Sequence, residues 1–163
     1  MVFDNWSSDD EVTKFVTWPT HEDLSTTEAI LISWEKAYEL LTTYQWAMVD
    51  REIDEVIGSI SLFQFHRRGS QHYCELGYCL SRKYWNRGVT TEAAKAILQF
   101  AFEEIGIDVV MAKHDVRNIA SGKVMKKLGM IHDKLVIRAV LNGRNEWVDC
   151  DTYVISKADF KFS

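Results

Sequence analysis

One proline, at position 19, and no repeat, low-complexity tract or Pro/Gly-rich linker interrupt this chain of 163 residues. Nothing therefore marks a domain boundary, and the length suits one domain over 1–163 with a substantial core. Three cysteines, Cys74, Cys79 and Cys150, supply neither a disulfide framework nor a zinc pattern. Cys74 and Cys79 lie five apart, so on one strand they face opposite sides and read as buried thiols. The five histidines lack His-x-x-x-His ligand spacing, and no metal site is expected. No apolar run approaches membrane-spanning length, and Met1–Asn5 carries no secretory signature, so the cytoplasm is the expected compartment, with no membrane partner. A positive surplus is missing too: the net charge is −5, which argues against a nucleic-acid partner.

What is present begins with Tyr84-Trp85-Asn86-Arg87-Gly88-Val89-Thr90-Thr91-Glu92. This run reads as a glycine-containing loop opening into an amphipathic helix. Such a junction aims free N–H groups and the positive end of a helix dipole at one point, a setting that suits phosphate. Gly88 lets the backbone approach an anion closely, and Thr90 and Thr91 offer hydroxyls or a cap. Beyond the loop, Ala94, Ile97, Leu98, Ala101, Phe102 and Ile105 form one helical stripe, ended by Gly106.

Elsewhere the periodicity predicts an early helix after Ser7 or Ser8, ending at Trp18-Pro19. A capping box at Ser25-Thr26-Thr27-Glu28 opens a second helix with Ile30, Trp34, Ala37, Tyr38 and Leu41 on one side. Strands follow at 45–49, 56–65 and 73–80, the first two around the glycine-free turn 50–54. In the third, Leu76, Tyr78 and Leu80 share one face and Glu75, Gly77 and Cys79 the other. A strand at 109–113, a helix at 118–128 closed by Gly129, and a hairpin 131–141/146–155 through Asn142-Gly143 complete the order. The class is α/β or α+β, helices flanking a mixed sheet.

Glu75-Leu76-Gly77-Tyr78, Tyr84 to Gly88 with Thr91-Glu92-Ala93, Arg117-Asn118 with Ala120-Ser121, and Lys127-Leu128-Gly129-Met130 together resemble the GNAT superfamily of acetyl-CoA-dependent N-acetyltransferases. Within it the chain looks most like the bacterial ribosomal-protein N-terminal acetyltransferases. The resemblance implies a mostly antiparallel sheet lacking the usual first strand, and a transferase acting on an amine, with acetyl-CoA as co-substrate. Its pyrophosphate would lie on the amides of Arg87, Gly88, Val89, Thr90 and Thr91, and its pantetheine arm beside the strand ending at Leu80, where Asn118 also reaches it. The implied acceptor is the N-terminal α-amine of a ribosomal or other protein, and a homodimer is compatible. A small-amine acetyltransferase or a noncatalytic acyl-CoA-binding module are the alternatives. The sequence departs from the family in carrying Thr90 for a small residue and Met125 for a tyrosine proposed as general acid.

Transfer from a thioester needs a neutral amine and a stabilised oxyanion. An α-amine is neutral in roughly a tenth of molecules at pH 7, a lysine in about one of 2,500. Glu75 is the candidate base, directly or through water, because its strand face is otherwise small; the alternative is a cross-strand-paired glutamate. Ser121 either bonds the sulfur or acetyl carbonyl or satisfies its own helix. Asn118 caps its helix, touches the cofactor, or both. A backbone N–H near Cys79 or Leu80 is the expected oxyanion donor. By resemblance, Trp18, Trp147 and Asp149 belong to the acceptor pocket, core packing being the other reading of each tryptophan. Tyr84 and Trp85 are expected to anchor the loop by burial.

Overall fold

The computed structural model describes residues 2–40 and 42–162. A π turn, Phe3–Ser7, precedes a short helix α1, Asp10–Thr13, and a long one, α2, Leu24–Glu39. Helical structure thus begins before Ser7, earlier than the sequence suggests. The cap of α2 also differs: the Asp23 carboxylate, not Ser25, accepts from Thr26 N–H at 2.7 Å. Aspartate suits this position because the first-turn amides lack intrahelical acceptors. The expected stripe of α2 is shallow. Thr27 is its buried residue, Trp34 and Ala37 are half-buried, and Leu41 lies outside the described residues.

Among the described residues six strands make one sheet in the order β1-β2-β3-β4-β6-β5. They are β1 (Tyr44–Asp50), β2 (Glu55–Arg68), β3 (Gln71–Leu80), β4 (Val109–Asp115), β5 (Ile131–Leu141) and β6 (Trp147–Ser156). All neighbours are antiparallel except β3 and β4. The turn before β2 does without glycine because Asp54 takes the left-handed conformation, φ 52°. The last hairpin forms through Asn142-Gly143 as expected, its loop running from 142 to 146 with Asn142 N–H bonding Glu146 C=O at 3.0 Å.

Two helices, α3 (Val89–Phe100, continued by a π turn to Ile105) and α4 (Ile119–Lys127), cover one sheet face. Here the alternation of the strands delivers the main core: Leu62, Cys74, Leu76, Val110 and Ala112 meet Ala94, Leu98, Phe102 and Met125. The opposite face is different. Ser59, Ser61, Glu75, Gly77 and Cys79 form a small-residue, polar floor under α1 and α2. A second, smaller cluster, with Trp6, Val12 and Cys79 buried, closes one end of it. No helix among the described residues is long and apolar enough to cross a membrane.

The cysteines are buried, as their strand positions require. Burial pushes the Cys74 and Cys79 thiols up to about 12, and the Tyr78 phenol likewise to about 12. An unfolded chain ionises its thiols near 8.5–9, so above that range the unfolded state binds fewer protons than the folded one. Stability is therefore full below about pH 8.5 and falls with rising pH toward 12, by about 1.4 kcal/mol per thiol per pH unit. Urea titrations at pH 8 and pH 10.5 should show this loss, and Cys74→Ala/Cys79→Ala should flatten it. A wild-type profile already flat across that range would contradict the burial of these thiols.

Candidate active site

The site follows from where one ladder stops. β3 and β4 pair only at Tyr73↔Val109, Cys74↔Val110 and Glu75↔Met111. Ser81 N–H bonds Ile57 C=O on the β2 side, whereas His72 bonds Asp108 on the β4 side. Strand alternation then aims Leu76 C=O, both backbone groups of Tyr78 and Leu80 N–H at the gap beyond Glu75, where β4 no longer supplies partners. An extended ligand can complete that edge as an added strand would. Of the two amides named from sequence, the Leu80 N–H faces the gap; that of Cys79 belongs to the β2 ladder.

The loop between β3 and α3 abuts the gap. Asn86 and Gly88 are both left-handed, φ 61° and 83°, and Gly88 is the N-cap of α3 with no side-chain cap bond. Glu92 N–H bonds Gly88 C=O at 3.0 Å, so the amides of Val89, Thr90 and Thr91 have no intrahelical acceptor. Free first-turn amides of this kind are what an anion needs of a helix N-terminus. Thr90 is buried against the protein and Arg87 is exposed, its guanidinium over the Tyr84 ring at 5.4 Å. The loop is anchored by hydrogen bonds more than by burial. Trp85, 41% exposed, donates Nε1–H to Leu80 C=O at 2.8 Å, and the Tyr84 hydroxyl donates to Asp50 at 2.8 Å.

A cavity of about 890 Å³ joins the gap, the loop and the polar floor. Glu75, Leu80, Gly88 to Thr91, Asn118 and Ser121 all line it, while Arg87 does not. Asn118 caps α4, its Oδ1 accepting from Ser121 N–H at 3.2 Å, which leaves the Nδ2 donors. Trp18 lines the cavity too. Trp147 and Asp149 do not: they lie on the opposite face of β6, Trp147 52% exposed and Asp149 accepting from Arg138 N–H at 2.8 Å. The acceptor-pocket expectation fails for these two because the period of two on β6 turns Val148 and Cys150, not their neighbours, toward the cavity.

Three participants were not foreseen. Lys113 of β4 clasps both Glu75 carboxylate oxygens, at 2.8 and 2.9 Å, across the mouth of the gap. The Tyr78 hydroxyl reaches α4 and bonds Ser121 Oγ at 2.9 Å and Ser121 C=O at 3.1 Å. Burial raises that phenol to about 12, although the Ser121 bond works the other way, so it stays protonated at any physiological pH. Asp115 is held by Arg117 through Nε and Nη2. Burial alone would raise its carboxyl, but the arginine's hydrogen bonds outweigh that and hold it below the usual range. The signal for Lys113 was available: on β4, Met111, Lys113 and Asp115 alternate with apolar or aromatic residues. The Tyr78 contact had no such signal, since it joins β3 to a helix 43 residues later.

His114 closes the far wall. Its Nδ1–H donates to Asp115 C=O at 2.7 Å, while Nε2 is buried with no partner among the described residues. Nε2 instead packs on Gly122, where a Cβ would come within 2.7 Å. Only glycine permits that approach of α4 to β4.

The sequence profile of the acetyltransferase (GNAT) domain matches residues 1–131. An uncharacterized N-acetyltransferase of Bacillus subtilis, YnaD, is 31% identical over 116 residues, 71% of this chain and 66% of that protein. The [ribosomal protein uS5]-alanine N-acetyltransferase of Escherichia coli is 30% identical over 88 residues, 54% of this chain and 45% of that protein. The chain thus spans less than two thirds of the length of these curated relatives. Among solved structures, Mycobacterium smegmatis RimJ in complex with CoA-disulfide superposes with a TM-score of 0.85 at 14% identity, over 99% of this chain and 80% of that one.

Proposed function

Because the chain belongs to the GNAT acetyltransferase family, we propose that it transfers an acetyl group from acetyl-CoA to a primary amine, the preferred acceptor being a protein N-terminal α-amine. The observation that carries this reading is the broken β3–β4 ladder opening beside a glycine-capped helix. The two features fit the two halves of coenzyme A. The edge at Leu76, Tyr78 and Leu80 would hold the amide-bearing arm, and the amides of Gly88 to Thr91, with Arg87 nearby, the diphosphate. Asn118 Nδ2 would donate to the arm from the other wall. When bound, acetyl-CoA supplies an activated acyl carbon and a leaving thiolate.

The chain's own groups then have defined tasks. Glu75 stands at the mouth of the gap to take the amine's proton, directly or through one water. The Leu80 N–H donates to the acyl oxygen as charge develops there. Tyr78 keeps its proton, since its phenol titrates far above a thiol, and serves to hold Ser121. Ser121, backed by Tyr78, directs its hydroxyl at the sulfur and stands in for the tyrosine that Met125 replaces. Cys79 lines the cavity but stays a thiol at neutral pH, so the acyl group passes directly to the amine.

Charge on the walls supports an α-amine over a polyamine. Glu11, Glu75 and Asp115 are outnumbered by Lys113, Arg117, Lys123 and Lys127. A polycation brings several charges against that surplus, whereas an α-amine brings at most one and is neutral in roughly a tenth of molecules at pH 7. The likeness to the uS5-alanine acetyltransferase points the same way.

Thiol release from acetyl-CoA, followed across N-terminal peptides, polyamines and aminoglycosides, tests the proposal. Turnover should be highest with the peptides, and Cys79→Ala should keep at least half of it. Coenzyme A binding without turnover on any acceptor would make the protein a binding module instead.

A further inference from the structure

We infer that the protein carries a dedicated subsite for an apolar side chain of its amine acceptor, in a second cavity walled by Trp6, Trp18 and Trp34. The inference rests on the transferase reading above and adds the class of acceptor. The cavity measures about 240 Å³ and lies beneath the N-terminal half of α2, with His21, Thr27 and Leu31 completing its walls.

Its position links it to the chemistry. Trp18 and Trp34 line both this cavity and the larger one, so the two spaces share these side chains. Trp6 packs in one cluster with Cys79, next but one to Gly77 on the polar floor, and Trp18 and Trp34 pack against the same cluster. A molecule whose amine sits over the Glu75–Cys79 row therefore has the tryptophan cavity at its side.

The wall chemistry sets what can enter. Two of its polar side chains are engaged, His21 Nδ1 with Thr27 Oγ1 at 2.8 Å and Thr27 Oγ1 with Ser7 Oγ at 3.3 Å, and the one buried polar atom of its walls left without a partner among the described residues is a neutral donor, Trp6 Nε1. Burial lowers the His21 pKa, more than Asp23 nearby raises it, which favours the neutral ring. Among the described residues no carboxylate lines the cavity. An ammonium or carboxylate placed there would lose its water and find no counter-charge. An apolar group gains dispersion contacts with indole faces and edges, which here meet in a T-shaped pair, Trp6 and Trp18, at 6.0 Å.

Size narrows the class further. A cavity of about 150 Å³ with aliphatic and aromatic walls suffices for benzene. A space of 240 Å³ takes a phenyl ring or a branched aliphatic chain with room to spare, and a methyl or hydroxymethyl group leaves it unfilled. The walls are also held in place. Gly143 N–H bonds Val16 C=O at 3.0 Å and His21 N–H bonds Ser7 C=O at 2.9 Å, fixing the loop that presents Trp18. The acceptors selected are thus primary amines bearing a leucine-, methionine- or phenylalanine-like group, in preference to glycine-, alanine- or lysine-like ones.

Product analogues test this without requiring catalysis. Binding of N-acetyl-phenylalaninamide, N-acetyl-leucinamide, N-acetyl-glycinamide and N-acetyl-lysinamide is read by tryptophan fluorescence, and turnover of the matching free amino amides by thiol release. The first two should bind at least tenfold tighter than the others. Leu31→Phe, which fills the cavity, should erase that preference while leaving coenzyme A affinity within twofold. Equal affinities across the wild-type series, a comparison that needs no variant, would overturn the subsite, as would a preference unchanged in a folded Leu31→Phe protein. The two readings fail separately. Turnover indifferent to the side chain removes the subsite and keeps the transferase; selective binding with no turnover of any amine removes the transferase and keeps the subsite.

Discussion

Exchange of Gly88 for aspartate is expected to raise the Kd for coenzyme A at least 100-fold and to leave the fold intact. A Cβ at this position meets nothing within 4 Å, so the added side chain finds space. Its φ of 83° is unfavourable for a side chain, but aspartate tolerates the left-handed region better than most, at roughly 1–2 kcal/mol. The larger effect is electrostatic. The amides of Val89, Thr90 and Thr91 have no side-chain cap, and a carboxylate at the N-cap would turn back onto them and occupy the place proposed for the diphosphate. A 100-fold loss corresponds to about 2.7 kcal/mol, within reach of one misplaced charge in a half-shielded site. Gly88→Asn carries the same shape and backbone strain without the charge, and should lose no more than about tenfold. The gap between the variants should narrow as salt is raised. Calorimetric titration beside thermal melts gives the answer: equal losses for the two variants, or none for Gly88→Asp, would move the diphosphate elsewhere.

That loop could be read from sequence because its information is local. A left-handed glycine before an amphipathic stripe needs no knowledge of other strands, and α3, β3 and the face alternation of Glu75, Gly77 and Cys79 were legible for the same reason. The gap itself was not. Whether the β3–β4 ladder continues past Glu75 depends on two segments 36 residues apart, and nothing in either one encodes the parting. The misplaced cap of α2 has a smaller cause: Asp23 and Ser25 are both good caps, and the structure uses Asp23 while Thr27 is drawn inward to His21 and Ser7. Trp147 and Asp149 were assigned by resemblance, and there a one-residue error in facing puts a side chain on the wrong side of a strand. Lys113 stood in plain view as a cation on a short apolar strand. Its significance needed Glu75 to be placed beside it.

The Glu75–Lys113 pair allows the base and the structural reading of Glu75 to be told apart. Glu75→Gln should lower kcat by about 10²-fold or more with little change in KM for acetyl-CoA, the scale of a lost general base. A fall in kcat alone would be ambiguous, because the same change leaves Lys113, whose side chain is 26% exposed, facing an amide. Lys113→Met supplies the contrast. It leaves the carboxylate, 13% exposed, without its counter-charge, and should destabilise the protein by about 2–3 kcal/mol. Removing both partners together is far less costly than removing one, since no charge is left stranded. Glu75→Gln/Lys113→Met should therefore melt within a few degrees of wild type. Turnover should not follow: if Glu75 takes the proton, the double variant stays as slow as Glu75→Gln. Recovery of kcat together with stability would show the carboxylate to be a strut for the gap, and would require a water held by other groups to deprotonate the amine. Under that outcome Lys113→Met alone would already have lost kcat in step with its stability, so a thermal melt and a rate on three variants decide the role of Glu75.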